Sequence, residues 1–186
     1  MLENKTIAVV VPCYNEETQI KMVLETMPDF VDRIIVINDC SNDQTENLVK
    51  DYIAKHQTSS KEIKSIQKTI KPNKFNKADI IAHEVQKIEN NKLVDSLIFN
   101  DNYKDRIVLI NHKINSGKGA GVATGYKWAK DHGMDCTATM DGDGQMDPSE
   151  LESICIPVIN ENIDYVKGNR LIHRSSLLVI PKIRFL

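Results

Sequence analysis

The sequence contains no CxxC pair: its four cysteines stand singly at positions 13, 40, 136 and 155, none with a histidine at zinc-ligand spacing. No paired zinc-binding motif is written here, and the thiols read as free in a reducing compartment. No run of roughly 18 apolar residues occurs, and the apolar part of the N-terminal MLENKTIAVVVP is too short for a signal peptide. Neither a membrane span nor a secretion signal is written in these residues, so a cytoplasmic protein is expected. Net charge is nearly absent, at -2, which leaves no electrostatic footprint of a nucleic-acid binder. Internal repeats and long low-complexity tracts are missing as well. With 41% apolar and 27% charged residues, wholesale disorder is excluded, and 186 residues suffice for one good core but not for two ordinary domains.

What is present is an alternation of two periods. Residues 6–11 (TIAVVV) form a continuous β-branched run that stops at Pro12, the pattern of a strand buried on both faces. Similar runs follow at 33–38, 107–111, 136–140 and, weakly, 164–167. Between them lie helical patterns. Residues 16–27 place Ile20, Val23, Leu24 and Met27 on one face, and residues 43–55 gather Leu48, Val49, Tyr52 and Ile53. Two more helices are expected at 120–131 and 148–160, the last with Asp147 at its N-cap and Pro148 in its first turn. Strands alternating with helices predict an α/β domain: a mostly parallel sheet with helices on both faces. One stretch breaks the alternation. Residues 57–105 are rich in lysine and asparagine, with Ile81, Val85 and Ile88 at helical spacing and Val94, Leu97 and Ile98 as a continuation. Loop-length priors favour a packed helical insertion there over a functional lid.

In an open parallel sheet, ligands bind beyond the carboxyl ends of the strands. The unusual polar residues of this chain fall at those ends: Pro12-Cys-Tyr-Asn-Glu16, Asn38-Asp-Cys-Ser-Asn-Asp43, Asn115-Ser-Gly-Lys-Gly119 and Asp141-Gly-Asp143. Asp39, directly at a strand end, is placed to accept hydrogen bonds from a base or ribose. Asp43 suits a helix cap, and Glu16 suits either a first-turn position or a ribose contact. The glycines at 117, 119, 121 and 125 do not form a Walker A motif, because Gly119 follows Lys118 and position 112 is histidine. GxGxxxG over 119–125 also departs from the dinucleotide fingerprint. Small residues that let a helix start tightly and pack closely on the sheet, with Lys118 near ligand phosphates, are the preferred reading. Asp141 and Asp143 are different in kind. On an extended chain they point the same way, their mutual repulsion is relieved by a cation, and oxygen-only ligands suit Mg²⁺ or Mn²⁺.

Five segments in this order, VPCYNEE, VINDCSNDQT, NSGKGAGVATGY, TMDGDGQMDP and YVKGNR, resemble the family 2 glycosyltransferases of the GT-A fold. Within that family they look most like the dolichyl-phosphate mannosyltransferase and polyprenyl-phosphate glycosyltransferase branch. The resemblance covers most of the chain apart from 57–105. It implies that Pro12, Tyr14, Glu16 and Asp39 contact the nucleoside of a UDP- or GDP-sugar donor, and that Asp141 and Asp143 handle a Mg²⁺ or Mn²⁺ ion and the diphosphate. It further implies Gln145 beside metal or sugar, with Lys118 and Arg170 near phosphates. Catalytic domains of this kind usually continue beyond the Gly-Asn-Arg segment, so residues 1–186 are expected to form a single, incomplete catalytic domain carrying a 57–105 insertion.

The implied activity moves a sugar to an acceptor, a polyprenyl or dolichyl phosphate at a membrane surface in the branch named, by a metal-assisted single displacement. A peripheral place on the cytoplasmic membrane face accords with that acceptor. The last stretch, LIHRSSLLVIPKIRFL, mixes apolar residues with Arg174, Lys182 and Arg184, which suits a missing segment, a second subunit in a homo-oligomer, or a membrane surface. Two other classes stay open: a nucleotide-sugar-binding module without transfer activity, and an NAD-dependent oxidoreductase using the 119–125 glycines.

Overall fold

The computed structural model describes residues 1–56, 73, 75–93, 105–161 and 163–169. Four strands form one sheet: β1 (Ile7–Cys13), β2 (Arg33–Asn38), β3 (Ile107–Asn111) and β4 (Cys136–Thr139). Every neighbouring pair is parallel and the order is β3-β2-β1-β4. β1 and β2 are buried at every position, which is why their sequences run apolar without alternation.

Helices α1 (Ile20–Glu25) and α2 (Thr45–Lys55) follow β1 and β2, and α4 (Lys118–Asp131) joins β3 to β4, with α3 (Lys77–Leu93) before β3. The first crossovers step outward through β2 to β3, whereas the last returns across β1 to β4. Right-handed connections running in opposite senses put their helices on opposite faces. The strands alternate accordingly: Ala8, Val10, Ile35, Ile37, Val108 and Ile110 join Trp128 and Ala129 of α4 in one core. Val10 meets α4 at a glycine; a Cβ on Gly125 would collide with both Val10 methyl groups. Gly121 plays the same part over Pro12, where an added Cβ would stand 3.2 Å from Pro12 Cβ.

β1 runs on through Pro12 to Cys13 instead of stopping at the proline. Pro12 pairs with Ile37 on one side, while on the other the β4 ladder has already ended at Val10↔Thr139. Its missing N–H therefore falls where the ladder has ended.

The other expected boundaries shift for local reasons. Residues 16–19 form a turn, with Gln19 and Ile20 N–H both donating to Glu16 O, so α1 begins only at Ile20. The segment 141–144 turns instead of extending, and residues 164–167 form no strand. The helix expected around Ile81, Val85 and Ile88 is α3, in which those residues are 53%, 48% and 57% exposed. Val94, Leu97 and Ile98 lie outside the described residues.

The chain divides into two compact units, Met1–Ser149 and Glu150–Leu186, and the sheet lies wholly in the first. In the second, α5 (Leu151–Asn160) has Glu150 at its N-cap position, with no side-chain capping hydrogen bond. Asp147 accepts the Ser149 N–H at 2.9 Å, opening the 3-10 turn Pro148–Glu150. Among the described residues, no helix is long and apolar enough to cross a membrane.

Candidate functional site

The order in which strands are added reverses between β1 and β4, so the crevice of this sheet opens at their carboxyl ends. The loops after β1 and β2 are laced together there. Asn15 N–H donates to Ser41 Oγ at 3.0 Å, Asn15 Oδ1 accepts from Asn42 N–H at 2.8 Å, and Glu16 N–H donates to Thr45 Oγ1 at 2.8 Å. Asp43 closes the lacing: its carboxylate accepts the Thr45 N–H at 3.0 Å, opening α2, and the Glu17 N–H at 3.1 Å. Two non-glycine residues take left-handed backbone to make these turns, Asn15 at φ 58 and Cys40 at φ 60. Asparagine tolerates that region; for cysteine it costs about 1 kcal/mol or more, offset by the surrounding hydrogen bonds.

Across the crevice, Gly142 lies on the end of β1. Its N–H reaches Pro12 O at 3.4 Å, and a Cβ there would stand 2.7 Å from Cys13 Sγ. This close approach brings the two flanking carboxylates, Asp141 and Asp143, into the field of Glu16. Burial first, then Asp143, Asp43 and Asp141, raise the Glu16 carboxyl above its ordinary value. Cys13 beneath is fully buried, and burial together with Glu16, Asp141 and Asp43 pushes its pKa up, so it stays a neutral thiol.

Asp141 is compensated from α4. Lys118 Nζ lies 2.7 Å from both of its oxygens but donates along a hydrogen-bond direction only to Oδ2. Oδ1 is buried and, among the described residues, has no hydrogen-bond partner. Asp143 Oδ1 accepts the Gln145 N–H at 3.0 Å, and Gly144 at φ 69 makes the turn that allows it. The Gln145 side chain is exposed and lines, with Met22, Met140 and Met146, a cavity of about 290 Å³ between α1 and this loop.

Asp39 sits deeper than its strand-end position suggests, 3% exposed. His112 Nδ1 donates to its Oδ1 at 2.7 Å, Ser116 N–H donates at 3.0 Å and Gly117 N–H at 2.7 Å. Burial pushes this carboxyl upward, but those hydrogen bonds outweigh it and hold the pKa below the usual carboxylate range. Since a carboxylate only accepts, Nδ1 carries the His112 proton, and in the neutral ring Nε2 accepts from the Thr124 hydroxyl at 2.9 Å.

The structure thus gathers Glu16, Asp141, Asp143 and Lys118 at one rim, with Gln145 on the same loop and Tyr14, 43% exposed, at the end of β1. Pro12 and Asp39 are set apart from them by burial, Pro12 under α4 and Asp39 behind the 115–117 loop. Arg170 lies outside the described residues. His112 and Thr124 were not among the sequence-based site residues. The signal for His112 was its place immediately after β3; only the register Asn38↔Asn111 sets it beside Asp39. The glycines at 121 and 125 are spent on helix packing against β1 and β2, and Gly119 meets nothing within 4 Å. Among the described residues, no group of three or more histidine, cysteine or acidic side chains is arranged to hold a metal.

The sequence matches the model of glycosyl transferase family 2 over residues 8–82 and 88–185. The chain belongs to that family. Over 181 residues it is 28% identical to a protein of Methanococcus voltae described as UDP-N-acetylglucosamine--dolichyl-phosphate N-acetylglucosaminyltransferase, covering 97% of this chain and 58% of that protein. It is also 30% identical over 81 residues to an uncharacterized protein of Methanocaldococcus jannaschii, covering 44% of this chain and 33% of the other. The chain thus spans little more than half, or less, of the curated relatives it matches. Among solved structures, S. aureus TarS residues 1–349 in complex with UDP aligns at a TM-score of 0.49 and 16% identity, over 91% of this chain and 39% of that one.

Proposed function

We propose that this chain carries the donor site of a glycosyltransferase that moves a sugar from a nucleoside-diphosphate sugar to a polyprenyl or dolichyl phosphate. The observation that supports it most directly is the convergence of Asp141, Asp143 and Glu16 at the switch point, with Lys118 alongside. The M. voltae relative, which carries a dolichyl phosphate in its name, supports the acceptor class.

The residues fit a divalent cation. Asp141 Oδ1 is a buried carboxylate oxygen that, among the described residues, has no hydrogen-bond partner and faces only the exchangeable Lys118 ammonium at 2.7 Å, and Asp143 keeps one oxygen free of the bond to Gln145. Two carboxylates with substrate phosphates completing the shell suit Mg²⁺ or Mn²⁺. Asp141 and Asp143 would hold the ion, which when bound supplies Lewis-acid stabilisation to the departing diphosphate. Lys118 contributes a mobile positive charge at the same rim, suited to the diphosphate oxygens. Tyr14 and Glu16, on the loop that follows β1, would contact the nucleoside. An acceptor phosphate monoester, with a second pKa of about 6, is already anionic near neutrality and needs no protein base.

The test is a titration of UDP-, GDP- and dTDP-sugars with and without Mn²⁺, followed by thermal shift and calorimetry. Tight binding that depends on the ion, with the dependence lost in Asp143→Ala, is expected. Equal affinity with a chelator present would sink the reading.

A further inference from the structure

We infer that His112 is a positioning residue for the donor site, an inference that rests on the reading just given. Its side chain is fully enclosed and its backbone N–H continues the sheet by donating to Asn38 O at 2.9 Å. From that rigid edge the ring ties two things together: Nδ1 holds Asp39, and Nε2 holds Thr124 on α4. Asp39 in turn holds the N–H groups of Ser116 and Gly117, the residues that start α4.

The helix is therefore fastened at its cap and again at Thr124. At about 1.5 Å per residue these ties lie roughly 10 Å apart along its axis. Two polar ties at that separation resist both sliding and rotation. The glycine contacts resist neither, because Gly121 and Gly125 let α4 close on β1 but offer no side chain to key its register. Lys118, the first residue of α4, reaches Asp141 from a position these ties determine. His112 touches neither Lys118 nor Asp141 in any contact described; it acts through Asp39 and α4. Without it, Asp39 loses one of its three donors, the Ser116–Gly117 loop loosens, and Lys118 leaves its place at the rim.

The experiment compares the full chain with His112→Ala, His112→Asn, His112→Gln, Lys118→Met and the double variant His112→Ala/Lys118→Met. Calorimetry with UDP and GDP in Mn²⁺ reads affinity, and hydrogen exchange of the peptide spanning 115–119 reads the loop with no nucleotide present. His112→Ala should weaken nucleotide binding about tenfold, the size expected of a lost hydrogen bond to a charged group. His112→Asn, whose amide can donate to Asp39, should recover most of that affinity, and His112→Gln should not. In the His112→Ala background, Lys118→Met should add little, although the two side chains do not touch. Exchange at 115–119 should speed up in the alanine variant while β2 stays protected.

Unchanged exchange at 115–119 overturns the inference whatever the nucleotide data say. So do additive losses, or an asparagine variant no better than glutamine; that last comparison decides alone if the alanine variant does not fold. A wild-type chain that binds no nucleoside diphosphate, yet shows the exchange response, overturns the donor-site reading and with it the role of His112 in binding, leaving the loop tie itself measured.

Discussion

Lys118 Nζ lies 2.7 Å from Asp141 Oδ2, so the first residue of α4 compensates the first carboxylate of the Asp-Gly-Asp turn across the crevice. The lysine is 63% exposed while the aspartate side chain is only 16% exposed. A pair built this way is worth little to the fold, because water screens the lysine and its long side chain is costly to hold still. Its value lies in leaving a cation at the rim that can exchange partners.

Lys118→Met is therefore expected to shift the thermal midpoint by no more than about 2 °C while weakening nucleoside-diphosphate binding roughly tenfold. Differential scanning fluorimetry and calorimetry separate the two. A large fall in midpoint with unchanged affinity would make the pair structural instead.

Glu16→Gln addresses the acid cluster. Glu16 is raised by burial and by Asp143, Asp43 and Asp141, so its charged form is disfavoured in the folded state. The sign follows: above its folded pKa this carboxylate opposes folding, and the opposition fades as pH falls through that value. In metal-free protein at neutral pH the glutamine variant should melt about 1–3 °C higher, a modest gain because the site is wet. Mn²⁺ should shrink the difference by neutralising Asp143 and Asp141. A variant that melts lower, or a gap insensitive to Mn²⁺, goes against the cluster.

Asp39 predicts the opposite pH dependence. Its pKa is held down, so the stability it contributes is present above the ordinary value of 3.8 and is lost as pH falls through the lower folded value. Urea denaturation of wild type and Asp39→Asn should differ most near neutrality and converge below about pH 3.8. Parallel curves down to acid pH would mean that the three donors contribute nothing specific to the charged form.

Two glycines on one helix should respond with opposite signs. Gly119 meets nothing within 4 Å, so Gly119→Ala gains helix propensity, up to about 1 kcal/mol. Gly125→Ala gains the same propensity but drives a methyl group into Val10, a fully buried and rotamerically stiff side chain. Overpacking costs about 1–3 kcal/mol, so the net should be destabilising. Denaturant midpoints decide it; a stabilised Gly125→Ala would show that α4 can lift off β1 at little cost.

The four strands were legible because a strand buried on both faces must be an apolar, β-branched run, and 33–38 and 107–111 match β2 and β3 residue for residue. The edge at which polar residues gather follows from the same alternation. Local turn chemistry was less legible. The sequence places Asp147 at the N-cap of a helix that starts at Pro148, and its carboxylate does accept the Ser149 N–H; what the sequence does not show is that the first turn, Pro148–Glu150, is 3-10 before α5 begins at Leu151. Asp39 looked like a free ligand at a strand end, whereas it faces inward toward three protein donors.

By itself, the sequence determined the α/β class, the strand positions and the chemical type of each loop, since period, burial and turn preference are properties of short segments. Only the tertiary structure decided which acids share one field and which is locked away. That choice depends on groups far apart in the chain. Glu16 lies in the field of Asp143 because Gly142 approaches the end of β1 closely, and Asp39 meets His112 because β2 and β3 pair in the register that sets Asn38 against Asn111. Strand register and helix docking are settled by the whole core at once, and no local run of residues encodes them.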